Sequence, residues 1–218
     1  MKNNFVYVFM AIIVGGVFLY VLNISSSNSL EADQMNNRDL SQFTQGNLDA
    51  PVKVTQYSDF LCPSCSQVSL GIVPKIIEKY VTTGNVYYTF VPMAFIAPGS
   101  QLAAEGAFCA AKQDKFWEYH DVAYQAVWED YFSKGVDPSR VPLYSEAGVK
   151  QLGQLAQVDT DSFNSCIDNR VEKATVMAIT QDAQNNGVQG TPYFVVNDTP
   201  IKGVPSFEIL DAAISTKL

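Results

Sequence analysis

The order of strand and helix patterns constrains the fold of this chain more than any other sequence feature. Alternating apolar and polar side chains predict strands, and apolar residues three and four apart predict helices. The predicted elements are strand 52–57, helix 62–81, strand 86–91, helices 101–128 and 146–185, strands at 193–196 and near 201, and helix 207–218. This order gives a β-α-β unit and a β-β-α unit separated by a helical block at about 99–187. It predicts an α/β core that carries an inserted helical domain.

The N-terminal segment predicts one transmembrane helix. Residues 5–22 contain no charged side chain, and their length as a helix is roughly 27 Å, close to the roughly 30 Å hydrocarbon core of a bilayer. Lys2 precedes this segment and the next basic residue is Arg38, so we expect the amino terminus in the cytoplasm. We therefore predict that residues 1–22 anchor the chain in the cell membrane, with the rest on the extracytoplasmic side. A cleaved signal peptide is the alternative, although no A-x-A site follows.

A polar segment joins the predicted anchor to the predicted folded domain. Residues 23–50 are rich in Ser, Asn, Gln and Asp and poor in large apolar groups, which predicts a flexible tether. Residues 51–218 then form a domain long enough to bury a core without disulfides. The formal net charge of −8 argues against nucleic acid as a partner, because phosphates require a basic surface.

Four cysteines follow the anchor and none precedes it. An even number in an exported chain predicts disulfides, because the compartment is oxidising. Cys109 and Cys166 both lie in the helical block, and we expect a structural disulfide between them. Two buried free thiols and a second redox relay are the alternatives.

The sequence S-D-F-L-C-P-S-C places Cys62 between a strand and a helix. Pro63 suits the first helical position, so Cys62 is the predicted N-cap. A thiol there would accept hydrogen bonds from the amides of Ser64 and Cys65 and would face the positive end of the helix dipole. Both effects favour the thiolate and lower the pKa. We therefore predict Cys62 as the exposed nucleophile and Cys65 as the buried resolving cysteine.

A lone C-x-x-C motif also occurs in zinc sites and in structural bridges. The remaining candidate ligands, Cys109, Cys166 and His120, lie at spacings typical of no common zinc motif. We therefore expect no metal and no other cofactor. A bridge across two residues closes too small a loop to constrain the unfolded chain strongly, so redox chemistry is favoured.

A second motif, G-T-P-Y-F-V-V-N, begins at Gly190. Pro192 stands directly before a predicted strand, where it withholds a backbone donor. The residues alone leave two alternatives open: a cis peptide bond at a special bend, or a trans proline that starts the strand.

Three motifs in this order resemble the DsbA-like branch of the thioredoxin superfamily. They are A-P-V-K-V followed by S-D-F-L-C-P-S-C, then E-G-A-F-C-A-A-K-Q-D-K-F-W-E-Y-H-D, then V-Q-G-T-P-Y-F-V-V-N before I-K-G. The resemblance covers about residue 49 to the end and implies a thioredoxin fold with an inserted helical domain. It also implies that Cys62 and Cys65 are the redox pair and that Thr191 and Pro192 form a cis-proline loop facing them. The backbone of Thr191 would then bind an extended substrate as an added strand.

Two residues depart from the pattern of this family. Ser64 stands where strongly oxidising relatives often carry His, so no positive charge stabilises the thiolate there. Gln56 stands where many relatives carry a buried Glu, so proton transfer to Cys65 needs another group, and Asp59 is the nearest carboxyl in sequence. We expect Pro63, Ser64 and Asp59 to tune the redox potential, and small changes decide between an oxidant and a reductant.

Other conspicuous residues carry structural interpretations. His120 lies in F-W-E-Y-H-D on a predicted helix and is interpreted as a packed or capping histidine. Trp117, Tyr119 and Tyr124 are interpreted as aromatics of the core and of the interface between the core and the insertion. Pro74 predicts a kink in the first helix.

The sequence supports three functional hypotheses. The first is an exported oxidase that donates the Cys62–Cys65 disulfide to newly exported proteins. The resemblance implies that a quinone-linked membrane partner reoxidises it. The second is a reductase or isomerase kept reduced by a membrane electron carrier, and the third is a non-enzymatic exported module that binds a metal or a partner. We expect the first, with the chain acting as a monomer.

Overall fold

The structure of the protein is a computed structural model that describes residues 40–218. The predicted membrane anchor, residues 1–22, and residues 23–39 of the predicted tether lie outside the described residues. Among residues 40–218, no helix combines the length and the apolar composition that crossing a bilayer requires.

A five-stranded sheet forms the centre of the described fold. Its strands are β1 (Thr44–Gln45), β2 (Val52–Asp59), β3 (Val86–Met93), β4 (Tyr193–Val196) and β5 (Thr199–Lys202), in the spatial order β1-β3-β2-β4-β5. β2 and β3 are parallel, and the other neighbouring pairs are antiparallel. The β-α-β unit supplies the parallel pair and the C-terminal hairpin supplies β4 and β5. This confirms the α/β fold predicted from the order of elements.

Helices cover the sheet and build the insertion. They are α1 (63–81), α2 (Pro98–Ala111), α3 (Phe116–Asp130), α4 (Glu146–Leu155), α5 (Thr160–Asp168), α6 (Lys173–Asn185) and α7 (Phe207–Ser215). Helices α2 to α6 lie between β3 and β4 in the chain. They form the helical insertion that the sequence predicts between the two halves of the core.

The structure divides two helices that were predicted as continuous. Predicted helix 101–128 is interrupted near Asp114, whose backbone is left-handed with φ of 56°. Predicted helix 146–185 is three helices, with Gln157 at φ 58° and Arg170 at φ 50° at the two breaks. No glycine or proline stands at these breaks, so the usual sequence markers of a helix end are missing.

Residues 40–50 differ from the flexible tether to which the sequence analysis assigned them. Phe43 is 1% exposed, and its ring centroid lies 4.5 Å from that of Phe108 and 4.2 Å from that of Phe116. Thr44 and Gln45 pair with β3. One buried ring and two paired residues are too short a pattern to distinguish from coil in a polar stretch. The folded part of the chain therefore begins before residue 51.

Helix α1 alternates between α-helical and π-helical turns. Residues Val68–Ile72 and Ile77–Val81 are π-helical, and Pro74 is the second residue of the α-helical stretch Val73–Ile76. A proline lacks the N–H that a continuous α-helix would use. The structure thus accommodates Pro74 directly after a change of helix type, where the regular hydrogen-bond ladder is already interrupted.

Phe60 anchors the turn that leads into α1. It is fully buried, its ring stacks on Tyr124 of α3 at a centroid distance of 4.9 Å, and it meets Phe90 of β3 at 5.9 Å. The turn is therefore packed against both the sheet and the helical insertion. This packing holds the start of α1 in one position.

Candidate active site

Cys62 lies at the N-cap of α1, as the sequence predicts. Its amide donates to the carbonyl oxygen of Asp59 at 3.0 Å, its backbone is extended at φ −88° and ψ 113°, and Pro63 is the first helical residue. The sulfur accepts no hydrogen bond with helix-cap geometry, although the Cys65 amide, one of the two predicted donors, still lowers its pKa. The thiol is turned instead toward the loop before β4, where it donates to the carbonyl oxygen of Thr191, 3.3 Å away.

Both cysteines of the C-P-S-C motif are free thiols, and both are buried. Cys62 keeps 7% of its surface exposed and Cys65 keeps 0%. The prediction of an exposed Cys62 is therefore wrong. The residue is buried, because the loop that contains Thr191 lies against its sulfur. Ser64, between the cysteines, is partly exposed. Cys62 remains the more exposed of the two cysteines.

The pKa values of the two thiols shift in opposite directions. A hydrogen bond from the Cys65 side chain is the largest effect on Cys62 and lowers its pKa from 9.0 to about 7, while burial opposes this change. The side chain of Thr191 and the amide of Cys65 also lower it. Burial, followed by the hydrogen bond with Cys62, raises the pKa of Cys65 well above 9.0. Near neutral pH the pair therefore favours a thiolate at Cys62, the less buried of the two cysteines.

The carboxylate of Asp59 binds backbone amides on two segments of the site. One oxygen accepts a hydrogen bond from the amide of Leu61 at 2.8 Å. The other accepts from the amides of Phe95 and Ile96 at 3.1 and 3.3 Å. Asp59 therefore ties the turn before Cys62 to the segment after β3.

The sequence suggested Asp59 as a group that exchanges a proton with Cys65, and the structure gives it a different effect. Burial raises the pKa of Asp59, although its amide partners lower it. Its charge raises the pKa of Cys62 and so disfavours the Cys62 thiolate. Because both carboxylate oxygens are occupied by amides, the geometry does not support Asp59 as the proton acceptor for Cys65.

The Thr191–Pro192 peptide bond is cis, which resolves the two alternatives left open by the sequence. The carbonyl oxygen of Pro192 accepts a hydrogen bond from the amide of Gly203 at 3.0 Å, which ties this loop to the end of β5. A cavity of about 160 Å³ opens beside the loop and is lined by Thr191, Pro192 and Lys202, among others. The Cys62 thiol thus points at a backbone that borders an open cavity.

A disulfide joins α2 to α5 in the helical insertion. Cys109 and Cys166 have an S–S distance of 2.02 Å and a Cα–Cα distance of 6.0 Å. Glu105 precedes Cys109 by four residues, and Arg170 follows Cys166 by four. The Arg170 guanidinium binds the Glu105 carboxylate through two hydrogen bonds of 2.6 and 2.7 Å, although Glu105 is only 1% exposed. The disulfide and the ion pair together hold α2 to the end of α5.

His120 is packed in the aromatic core, as the sequence analysis interpreted it. It is 3% exposed, and its Nδ1 atom hydrogen-bonds the Asp121 carboxylate at 2.8 Å. Its ring centroid lies 4.9 Å from those of Phe90 and Tyr124 and 5.4 Å from that of Trp117. The geometry therefore gives His120 a packing role.

Two buried polar side chains lie at inward positions of β2, and the sequence indicated only one of them, Gln56. Gln56 and Ser58 occupy the same inward positions of β2 as Val52 and Val54 and are fully buried. The alternation of β2 was the pattern that could have found them, because it places both polar residues on the buried face.

A family model described as Thioredoxin matches residues 39–216. The chain belongs to the thioredoxin family. It is 30% identical over 179 residues to disulfide bond formation protein D of Bacillus subtilis. The aligned region covers 79% of this chain and 75% of that protein. It is also 30% identical over 180 residues to the probable disulfide bond formation protein D of Bacillus cereus, covering 82% of this chain and 79% of that protein.

Solved structures share the fold. The crystal structure of oxidised BdbD from Bacillus subtilis superposes with a TM-score of 0.69 and 24% identity, over 81% of this chain and 92% of that chain. The crystal structure of Chlamydia trachomatis DsbA superposes with a TM-score of 0.65 and 22% identity, over 80% of this chain and 90% of that chain. The family match and the relatives identify this chain as a DsbA-like protein thiol-disulfide oxidoreductase. The hypothesis of a non-enzymatic binding module is therefore wrong.

Proposed function

We propose that this oxidoreductase is an exported oxidase that donates the Cys62–Cys65 disulfide to newly exported proteins. The observation that carries the proposal is the similarity to relatives named disulfide bond formation protein D, and the lowered pKa of Cys62, about 7, is compatible with it. A thiolate that is stabilised in the reduced protein makes the disulfide easier to reduce. The disulfide is then the better oxidant of substrate thiols.

The proposed reaction uses the two sulfurs in turn. A substrate thiolate attacks Cys62 in the disulfide, the Cys62–Cys65 bond breaks, and its electron pair leaves on Cys65. A second substrate thiolate then attacks the substrate sulfur of the mixed disulfide and releases Cys62 as a thiolate. The substrate loses two electrons and two protons and gains a disulfide, and the enzyme gains the same electrons and protons.

Substrate binding is proposed for the loop at Thr191 and Pro192. An extended chain that pairs with the Thr191 backbone would lie beside the Cys62 sulfur. Phe95 and Ile96, exposed by 40% and 36%, add apolar surface on the segment that Asp59 holds. Unfolded proteins expose apolar side chains, so such a surface suits them as substrates.

The location and the redox partner are also proposals. The uncharged segment within residues 1–22 supports a membrane anchor with the domain on the extracytoplasmic side. A membrane partner, quinone-linked by analogy with the family, would reoxidise Cys62 and Cys65. We propose that the chain acts as a monomer and that Pro63 and Ser64 tune the potential of the pair.

A reductase is the second candidate, and one observation favours it. The pKa of Cys62 is lowered only to about 7, because the charge of Asp59 and the burial of the thiol oppose a larger shift. Thioredoxin, whose reactive cysteine also titrates near about 7, is a reductant.

The reduction potential of the Cys62–Cys65 couple separates the two candidates. We would equilibrate the full chain in detergent with glutathione buffers and quantify the oxidised fraction by alkylation and mass spectrometry. A potential between about −120 and −180 mV supports the oxidase, and one near about −270 mV supports the reductase. Cys62→Ser should lose the oxidation of a reduced client protein while it keeps the Cys109–Cys166 disulfide. Full activity in Cys62→Ser would contradict the proposed nucleophile.

A further inference from the structure

The cavity beside the Thr191–Pro192 loop has walls that are made largely of glycine. Its volume is about 160 Å³, and Gly187, Gly190 and Gly203 are among the residues that line it. At each of these three glycines, nothing lies within 4 Å of the place where a Cβ atom would stand. Side chains are therefore missing from a part of the surface that has room for them, and the cavity stays open to a group from another molecule.

Lys202 is the one charged residue among those that line this cavity in the described part of the chain. It is exposed, and it stands directly opposite Tyr193 in the antiparallel pair of β4 and β5. Residues directly opposite each other in such a pair have their side chains on the same face of the sheet. Tyr193 also lines the cavity, so the register places the Lys202 side chain on the face where the cavity opens.

The ammonium group of Lys202 has no partner within residues 40–218. It forms no ion pair and no side-chain hydrogen bond there. Asp182 is a carboxylate near this face, because burial and then the charge of Asp182 raise the pKa of Tyr57, whose strand partner is Tyr193. Lys202 makes no ion pair with Asp182 either, so its charge is available to an anion from another molecule.

Two hydrogen bonds link this cation to the reactive sulfur. The Cys62 thiol donates to the carbonyl oxygen of Thr191 at 3.3 Å. The carbonyl oxygen of Pro192 accepts from the amide of Gly203, the neighbour of Lys202, at 3.0 Å. An extended chain advances about 3.3 Å per residue, so side chains within two residues of a bound cysteine lie within about 7 Å of it along the chain. Such a side chain is close enough to enter the cavity.

We propose that Lys202 and this cavity form a specificity subsite, which binds the carboxylate of an Asp or Glu side chain within two residues of the substrate cysteine. The inference rests on the proposed function, because it needs a substrate chain at the Thr191 loop. An ammonium group is a compact point charge that pairs with a carboxylate. The formal net charge of the chain is −8, so acidic clients are repelled at long range. Lys202 supplies the attraction at short range.

The test compares three dithiol peptides that differ only in the residues flanking each cysteine, which are Glu, Gln or Lys. Acetylated and amidated ends remove the terminal charges, so the flanking side chains are the only charged groups. The oxidised full chain in detergent oxidises each peptide, and mass spectrometry gives the rate. A flanking carboxylate also raises the pKa of the peptide thiol in every reaction. The ratio of the Glu rate to the Gln rate in the wild type is therefore divided by the same ratio in Lys202→Gln.

This quotient should be about two- to fivefold, the size of one exposed ion pair. The same quotient for the Lys peptide should fall below one, because the wild type repels it. A general loss of structure in Lys202→Gln would slow all three peptides alike and cancel. At about 1 M salt, where the Debye length is about 3 Å, the quotient for the Glu peptide should approach one.

Two further variants serve as controls. Lys202→Arg keeps the positive charge and should keep most of the preference for the Glu peptide. Lys173→Gln removes another exposed lysine that forms no ion pair within residues 40–218. Lys173 begins α6, and Asn185 at the other end of that helix is roughly 18 Å away along the axis. Lys173→Gln should therefore keep the wild-type ratio.

The outcomes separate this inference from the proposed function. A quotient of one at low salt, or an equal fall of the ratio in Lys173→Gln, would overturn the subsite and leave the oxidase intact. Failure of the wild type to oxidise any of the three peptides would instead refute the oxidase. The reduced chain and the same peptides in their disulfide form then give the same quotient, because the flanking residues meet the same loop. A two- to fivefold value there would support the subsite, and a value of one would overturn it.

Discussion

The thiol of Cys62 donates a hydrogen bond to the carbonyl oxygen of Thr191 across a distance of 3.3 Å and 129 residues of chain. The same loop borders the cavity beside Pro192. The backbone that we propose binds the substrate is therefore also the backbone that contacts the proposed nucleophile, Cys62. A substrate chain bound at this loop would lie beside the Cys62 sulfur, which the substrate thiolate attacks in the proposed reaction.

The first prediction concerns the titration of Cys62. The alkylation rate of the reduced protein should rise with pH around a midpoint of about 7, because the thiolate is the reactive form. Cys65→Ala removes the largest cause of the lowered pKa, so the midpoint should move upward toward 9.0. Ser66→Ala should keep the wild-type midpoint. An unshifted midpoint in Cys65→Ala would show that the helix dipole, and not Cys65, stabilises the thiolate.

The second prediction concerns the charge of Asp59. Asp59→Asn removes a negative charge that raises the pKa of Cys62, so the alkylation midpoint should fall below that of the wild type. The disulfide should become more oxidising at the same time. An asparagine has one acceptor oxygen for three amides, so the free energy of unfolding should fall by about 1–2 kcal/mol. The exposed Asp49→Asn serves as the control, and a raised midpoint in Asp59→Asn would refute this electrostatic assignment.

The third prediction concerns the Cys109–Cys166 disulfide, whose cysteines are 57 residues apart. The double variant Cys109→Ala/Cys166→Ala should lose about 4 kcal/mol of the free energy of unfolding, because its unfolded chain regains the entropy of an open loop. Urea unfolding measures this loss. Thiol exchange at Cys62 should continue at temperatures where the variant stays folded. Loss of exchange in a folded variant would support the redox relay that we considered as an alternative.

The fourth prediction concerns the ion pair between Arg170 and the buried Glu105. Arg170→Met leaves the carboxylate without its charged partner, so the free energy of unfolding should fall by about 3 kcal/mol. Adding Glu105→Gln should restore part of this loss, because the uncompensated charge is gone. Lys173→Met, at an exposed position nearby, should change stability by less than about 0.5 kcal/mol. Equal losses in Arg170→Met and Lys173→Met would show that the pair contributes little.

The parts of the site that depend on local order could be predicted from the sequence. Pro63 after Cys62 defines a helix start, and Pro192 before a strand marks a special bend, because both residues act on their own backbone. The burial alternation of β2 and the chain order of the elements place the cysteines just after β2, at the start of α1. These features need only neighbouring residues.

The parts that depend on contacts between distant segments could not be predicted. The sulfur of Cys62 finds its acceptor at Thr191 and not in its own helix, and no local pattern shows this choice. Two of the three amides that bind the Asp59 carboxylate come from the segment after β3, so the closeness of Asp59 to Cys65 in sequence did not reveal its partners. The burial of Phe43 depends on two rings in the helical insertion, which a polar stretch of sequence does not indicate.

The outer strands of the sheet affect how this protein meets other chains. β1 is two residues long and covers β3 at Tyr88 and Thr89, while β5 at the opposite side carries Pro200, which has no amide proton to offer. Long open sheet edges recruit extended chains into aggregates, and short strands and prolines prevent this. The proposed catalyst of unfolded proteins would meet such chains constantly. A short outer strand on one side and a proline on the other would then favour the release of a client after the chemical step over its incorporation into the sheet.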